Sequence, residues 1–398
     1  MLESWRWFGP QDPVTLSHAR QAGARGVVTA LHHIYDGRVW TADDVAERMA
    51  LVKQAGMVWS VCESIPVNSA IKLRNQNWRR YVDAWKQSLA NLGKGGVPVV
   101  CYNFMPVVDW TRTNLLYPTE AGGLALRFDM VDFAAYDLFV LQRRAAEENY
   151  PAALVEAART RLEAMPDDKI LTLEKNIIAG LPGGEDSHTR ETIRAQIASY
   201  DDLSSDDMRA NLVEFLREVV PVAAENGVRL AIHPDDPPFS LFGLPRVVSQ
   251  SVDIQTILDA VAEPSNGITL CAGSYGSRPG NDVVELASRF AKHIHFAHLR
   301  NVSKEADGSF VESEHLGGDV NMVSLISVLR GEERRRQSIG RSDSVIPMRP
   351  DHGHLLIDDQ EKTVNPGYSC IGRLKGLAEL RGVIAALDQV HVETSLSV

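Results

Sequence analysis

Eight short runs of apolar, β-branched and aromatic residues recur along the chain, with helical stretches between them. The runs cover Trp5–Phe8, Gly26–Leu31, Val58–Glu63, Val97–Phe104, Val228–His233, Ile268–Cys271, Ile294–His298 and Val345–Asp351. Several are apolar throughout instead of alternating, as expected of parallel strands that are buried on both faces. Eight strands that alternate with helices predict an α/β fold, the (β/α)8 TIM barrel.

The segment between the fourth and fifth runs is too long for an ordinary connection. It spans roughly residues 109–206, and its pattern predicts helices at Phe128–Ala146, Ala152–Met165 and Asp167–Ile178 with a break at Leu181–Gly184. We therefore predict a single TIM-barrel domain over residues 1–398, with a helical insertion at 109–206 after strand 4. An insertion there lies on the active-site side of a barrel. The pattern favours equally a cap over the barrel mouth and a helical dimerisation element. A last helix, Gly372–Leu387, is expected to close the barrel.

Composition and charge narrow the class of protein. The net charge of −11 argues against a nucleic-acid partner, because such a partner requires a basic surface stripe. The four cysteines form no CxxC pair, which is typical of a reducing compartment. The N-terminus lacks the basic start and apolar stretch of a signal peptide, and no apolar run reaches the roughly 18 residues of a membrane span. We expect a cytoplasmic protein with no membrane partner.

Four consecutive predicted strands end on a side chain that can bind a metal ion: His233, Cys271, His298 and Asp351. Taken singly, such a histidine is more often a hydrogen-bonded core residue, such a cysteine a small buried hydrophobe and such an aspartate a helix cap. Together, at the functional face of a barrel, they favour one metal site. Imidazole, thiolate and carboxylate suit a borderline divalent ion. Since four protein ligands leave room for substrate only at a five- or six-coordinate metal, the set favours Mn2+ or Fe2+ over structural Zn2+.

Arginine and loop residues near the same strand ends are candidates for substrate binding. Arg300 follows His298, and Arg349 is in phase with Asp351, so each can clamp a carboxylate. Asp236 can orient His233 or bind substrate hydroxyls, although Asp-Pro pairs are equally turn signals. Backbone amides around Ser274 and Tyr275 can also hold a carboxylate.

Two further residues are candidates for proton transfer. His352 directly follows the predicted metal-binding aspartate and is the best general-base candidate in the chain. Tyr368 lies in the loop beyond that strand, where a phenol can act as a general acid or simply pack in a turn. His295 is out of phase with His298, so we expect it to face the helix layer.

Long segments of the sequence resemble the mannonate dehydratase family. The matching segments are 5–10, 26–34, 101–113, 233–238, 273–276, 348–354, 365–369 and 372–379. The resemblance implies a xylose-isomerase-like barrel and a carbon-oxygen lyase, specifically a hydro-lyase of hexuronate and glucuronate catabolism. Members of that family convert D-mannonate to 2-keto-3-deoxy-D-gluconate with Mn2+ or Fe2+, and the resemblance implies the same reaction and metals for this chain. The resemblance also implies metal ligands at His233, Cys271, His298 and Asp351 and an acid–base pair at His352 and Tyr368. The sequence differs from the family pattern at 34–37, Ala272, 278–281 and Ala297, and none of these differences removes an implied metal ligand.

Two other functions remain open from the sequence. A metal-dependent sugar isomerase on the same barrel is the main alternative, although a thiolate ligand fits it less well. A catalytically silent metal sensor is the other, and the intact Arg349, His352 and Tyr368 set argues against it. In either case the expected partner is a small molecule, and we expect a homo-oligomer.

Overall fold

In a computed structural model that describes residues 1–178 and 189–396, parallel strands close into a barrel. The strands of the described residues are β1 (Leu2–Arg6), β2 (Gly26–Thr29), β3 (Val58–Glu63), β4 (Val99–Tyr102), β5 (Asn114–Pro118), β6 (Leu124–Phe128), β7 (Arg229–Ile232), β8 (Asn266–Cys271), β9 (Ile294–His298), β10 (Val302–Lys304), β11 (Phe310–Glu312) and β12 (Pro347–Arg349). The barrel order is β1-β12-β9-β8-β7-β4-β3-β2. Each of the eight predicted runs overlaps one barrel strand, so the predicted TIM barrel is confirmed.

Helices fill the connections between barrel strands. In the described residues they are α1 (Leu16–Gln21), α2 (Ala42–Gln54), α3 (Ser69–Lys72), α4 (Trp78–Lys94), α5 (Met130–Ala135), α6 (Ala152–Glu163), α7 (Asp167–Ile178), α8 (Arg190–Ala198), α9 (Ser205–Glu225), α10 (Ser251–Ala260), α11 (Ala272–Ser277), α12 (Val283–Phe290), α13 (Met322–Ser338) and α14 (Cys370–Leu396). Thr41 and Ser204 begin α2 and α9 with capping boxes that satisfy free helix amides. The predicted last helix is confirmed as α14. Among the described helices, none has the length and apolar character needed to cross a lipid bilayer.

The segment after β4 is helical over most of its described length, as predicted, and it also contains a β-hairpin that the sequence pattern did not predict. Before its helices it forms the hairpin β5–β6, which turns at Gly122 with a φ of 83°. Phe128, predicted to begin a helix, ends β6, and Asp129 then caps α5. The predicted helices at 152–165 and 167–178 are present as α6 and α7, and the predicted break at Leu181–Gly184 lies outside the described residues.

The β5–β6 hairpin pairs with strands that are distant from it in sequence. It joins β10 and β11, which follow β9, in an antiparallel sheet of order β10-β11-β6-β5. Phe310 pairs with Phe128 and Val311 with Arg127 in this sheet. Because β6 and β11 are far apart in sequence, the local pattern of apolar and polar residues does not predict their pairing. It brings the loop after β9 against the segment after β4.

The barrel interior is filled by side chains that alternate along each strand. Val28, Val61, Cys101, Ala231 and Phe296 form a buried cluster of their own inside the barrel. Two residues further along β7 and β9, the same inward face carries His233 and His298, because strand side chains repeat with a period of two. The alternation therefore places these two imidazoles directly above the apolar core.

Packing outside the barrel depends on α9, whose Phe215 is fully buried. Its ring centroid lies 5.1 Å from that of Trp85, 5.8 Å from that of Tyr102 and 5.9 Å from that of Phe104. Changing Phe215 to Ala should lower the free energy of unfolding by about 3–5 kcal/mol, measured by denaturant titration. Leu171→Ala, at a side chain that is 55% exposed, is the control and should change it by less than about 0.5 kcal/mol. Equal losses in both variants would contradict the assignment of this cluster to the core.

Candidate metal centre and acid–base site

Three predicted ligands meet where β7, β8 and β9 end. His233 directly follows β7, Cys271 ends β8 and His298 ends β9, and all three are buried inside the barrel mouth. One ligand atom from each lies within 4.8 Å of those of the other two. His233 Nε2 is 3.2 Å from His298 Nδ1. Side chains from three separate strands thus converge on one point.

Asp351 lies beside this group. It follows β12 in a left-handed conformation with a φ of 70°, which aspartate adopts more readily than most residues. Its Oδ2 is 3.7 Å from Cys271 Sγ, and its Oδ1 is 3.9 Å from His298 Nδ1. Arg349 and Arg300 contact the same carboxylate. Burial acts to raise the pKa of Asp351, but the guanidinium of Arg349 outweighs it and holds that pKa well below its usual range.

The donors present fit a borderline divalent ion. His233 Nδ1 lies 2.7 Å from the carbonyl oxygen of Pro234, so this nitrogen donates and Nε2 is left to accept toward the cluster. Burial lowers the pKa of His233, which keeps the imidazole in its neutral, ligating form. Two imidazoles, a sulfur and a carboxylate are a donor set typical of such ions.

His352 and Tyr368 stand next to the cluster as a pair. His352 Nε2 is 3.3 Å from the Tyr368 hydroxyl, and both side chains are buried. Phe8 packs edge-on against Tyr368. Burial raises the pKa of Tyr368 to about 12, so the phenol keeps its proton at neutral pH.

Glu312 orients His352, and the sequence analysis missed it. Its Oε2 and Oε1 accept from His352 Nδ1 at 2.8 Å and 3.0 Å. Burial acts to raise the pKa of Glu312, but His352 and the neighbouring arginines lower it to about 2, so the carboxylate is ionised. With its proton held on Nδ1, His352 presents an unprotonated Nε2 to Tyr368. Glu312 ends β11, and the sequence signal for this strand is only the short pair Phe310-Val311 within a long polar connection.

Asp236 and Ser274 contact other protein groups at the site. Asp236 accepts from Arg112 Nη1 at 2.8 Å, from Arg300 Nη2 at 2.6 Å and from Ser274 Oγ at 3.0 Å. Ser274 Oγ also lies 3.1 Å from Cys271 Sγ. The segment around it, predicted as a loop, is the helix α11. Direct contact of Asp236 or Ser274 with a substrate stays a prediction.

The remaining predicted residues differ in whether they contact the cluster. Arg349 Nε is 3.1 Å from His298 Nε2, and its Nη2 is 2.9 Å from Glu63 Oε1. Arg349 therefore lies beside the cluster, as its phase with Asp351 along the strand predicts. Tyr275 is fully buried, and its pKa is raised by burial and by Asp235 and Asp253. His295 faces away from the cluster and contacts the carbonyl oxygen of Leu230 at 2.8 Å, as expected.

The fold and the site define a TIM-barrel protein with a candidate metal centre beside a buried imidazole–phenol pair. The family model described as "D-mannonate dehydratase (UxuA)" matches residues 1–394. The chain belongs to the D-mannonate dehydratase family, and it is an enzyme of the hydro-lyase class.

Individual members of the family match this chain over nearly their whole length. Mannonate dehydratase 2 of Agrobacterium fabrum is 58% identical over 389 residues, covering 98% of each chain. Mannonate dehydratase of Saccharophagus degradans is 53% identical over 397 residues, covering 100% of each. The crystal structure of mannonate dehydratase from Streptococcus suis has a TM-score of 0.77 at 32% identity, covering 98% of this chain and 94% of that one. The isomerase alternative is not favoured by these matches.

The carboxylate of Asp236 is the shared counter-ion of two buried guanidinium groups. Asp236→Asn keeps the shape but leaves Arg112 and Arg300 undercompensated, so the free energy of unfolding should fall by about 3–5 kcal/mol. Denaturant unfolding measures it. Asp206→Asn is the matched control, because Asp206 pairs with Arg209 at a side chain that is 95% exposed. A loss at Asp236 no larger than that of this control would contradict the argument.

Proposed function

We propose that this chain removes water from D-mannonate to give 2-keto-3-deoxy-D-gluconate, with His233, Cys271, His298 and Asp351 as metal ligands. The observation that carries the proposal is the convergence of His233, Cys271 and His298 within 4.8 Å, beside a buried imidazole–phenol pair. A divalent ion bound there, Mn2+ or Fe2+, would supply Lewis acidity that makes the C2 proton of the aldonate easier to remove.

The arginines are suited to hold the substrate carboxylate. Arg349 and Arg300 both contact Asp351, so both lie at the edge of the ligand cluster. Burial alone would lower their pKa values, but the surrounding carboxylates raise them, and both groups stay charged. A guanidinium fork binds a carboxylate through two parallel hydrogen bonds, which fixes the orientation of the sugar acid.

His352 and Tyr368 divide the proton transfers between them. His352 Nε2 takes the proton from C2, and the ionised Glu312 on Nδ1 stabilises the imidazolium that results. The Tyr368 hydroxyl gives its proton to the C3 oxygen, which leaves as water when the C3–O bond breaks. The enol that remains tautomerises to the 2-keto acid. Since His352 Nε2 and the Tyr368 oxygen are 3.3 Å apart, the proton can afterwards return from the imidazolium to the phenolate.

Three finer predictions belong to the same proposal. The enzyme works in the cytoplasm, a location supported by four cysteines without a disulfide. It acts on a free small-molecule acid and as a homo-oligomer. Asp236, Ser274 and Tyr275 complete the substrate site together with Arg300 and Arg349.

The test of the reaction is 2-keto-3-deoxy acid formation from D-mannonate, after anaerobic reconstitution with Mn2+ or Fe2+. We expect product with either ion and none after EDTA treatment. Stoichiometric metal without product from D-mannonate would overturn the substrate assignment and direct the assay to other aldonates and then to aldoses.

The role of Tyr368 can be separated from folding and metal binding. Tyr368→Phe should lower kcat by about 10²–10⁴-fold, the usual contribution of a general acid, while metal content stays at the wild-type value. Tyr102→Phe removes a buried hydroxyl in the helix layer, beside Trp85, and should leave kcat unchanged. Wild-type turnover in Tyr368→Phe would remove Tyr368 from the acid role.

A further inference from the structure

The two nitrogens of His298 face different partners. Nδ1 lies toward the cluster, 3.2 Å from His233 Nε2. Nε2 lies on the far side, 3.1 Å from Arg349 Nε, which can only donate. In this arrangement Nε2 accepts a hydrogen bond, so the single proton of the neutral ring is on Nδ1.

A metal ion bound to Nδ1 requires the other tautomer. The proton then resides on Nε2, where it meets the N–H of Arg349, and two donors face each other. A histidine that binds a metal through one nitrogen almost always donates its other N–H to an acceptor such as a carboxylate. A metal-bound His298 would therefore need a hydrogen-bond acceptor near Nε2.

Glu63, at the end of β3, is placed to do so. Its Oε2 is 3.7 Å from His298 Nε2, the side chain is buried, and this oxygen is a buried atom that accepts no hydrogen bond of good geometry. The carboxylate is held by ion pairs of 2.9 Å from Arg349 Nη2 to Oε1 and from Arg6 Nη1 to Oε2. Two guanidinium groups thus compensate the buried carboxylate and fix its position beside His298.

We propose that Glu63 is a positioning residue for the metal centre, accepting the Nε2–H of His298 whenever a divalent ion occupies Nδ1. The proposal rests on the metal ligands of the proposed function. It has a consequence for Arg349, whose Nε–H loses its acceptor on His298 at the same moment. Metal loading thus releases one donor of the arginine that is proposed to hold the substrate carboxylate.

The test measures the dissociation constant for Mn2+, by titration into the metal-free full-length protein. Glu63→Gln should weaken Mn2+ binding about 10–100-fold, the usual effect of removing such an outer partner. Glu333→Gln is the matched control, because it removes the same charge from another buried carboxylate, one that pairs with the N-terminus and Arg330 and contacts no proposed ligand. It should change the constant by less than about threefold. Equal weakening in both variants would overturn the proposal, since only the overall charge would then matter.

Two further measurements separate the possible failures. Cys271→Ala tests the ligand set itself: if it binds Mn2+ like wild type, the proposed metal centre fails. If it loses the metal while Glu63→Gln binds normally, only the role of Glu63 fails. Should Glu63→Gln not fold, ¹⁵N-histidine NMR of the wild-type protein with Zn2+ decides the tautomer, with His298→Asn assigning the signal. A proton on Nε2 in the loaded protein supports the proposal, and Zn2+ on Nε2 overturns it.

Discussion

The site depends on one buried carboxylate, Asp236, and the two guanidinium groups that share it. Arg112 comes from the segment after β4, and Arg300 follows β9. Glu312 accepts from Arg112 at 2.7 Å and lies 3.4 Å from Arg300. A buried charge is tolerated only when it is paired, so none of these four residues can be placed without the others. The network therefore fixes three connections of the barrel in one geometry, and His352 is oriented through Glu312 as a result.

The same network continues around the metal cluster and balances its own charge. Arg6, Arg112, Arg300 and Arg349 are matched by Glu63, Asp236, Glu312 and Asp351. A divalent ion bound with a Cys271 thiolate would add a single positive charge to this neutral set. A sugar acid carries one negative charge, so its binding would restore neutrality among these buried groups. Electrostatics of this kind select an anionic sugar over a neutral aldose.

The barrel strands and the positions of the candidate ligands could be predicted because both follow from local sequence patterns. Apolar runs mark strands buried on both faces, and His233, Cys271 and His298 stand where those runs end. What the sequence could not show is contact between distant segments. The strand β5 was missed because its partner β6 and the pairing of β6 with β11 are properties of the assembled sheet. Glu312 was not predicted, and Glu63 was seen only as the end of the third predicted strand, because their contacts with His352 and His298 join segments that are distant in sequence.

The antiparallel sheet outside the barrel has a consequence for how this enzyme can diverge. Loops at the functional end of a barrel usually vary one by one, and this independence lets the fold acquire new substrates. Here the segment after β4 and the loop after β9 are joined strand to strand. The first delivers Arg112 to the ion network, and the second delivers Arg300 and Glu312. Neither loop can be lengthened, exchanged or recombined alone without unpairing the other. We therefore expect an evolutionary or engineered change of specificity to alter both segments together.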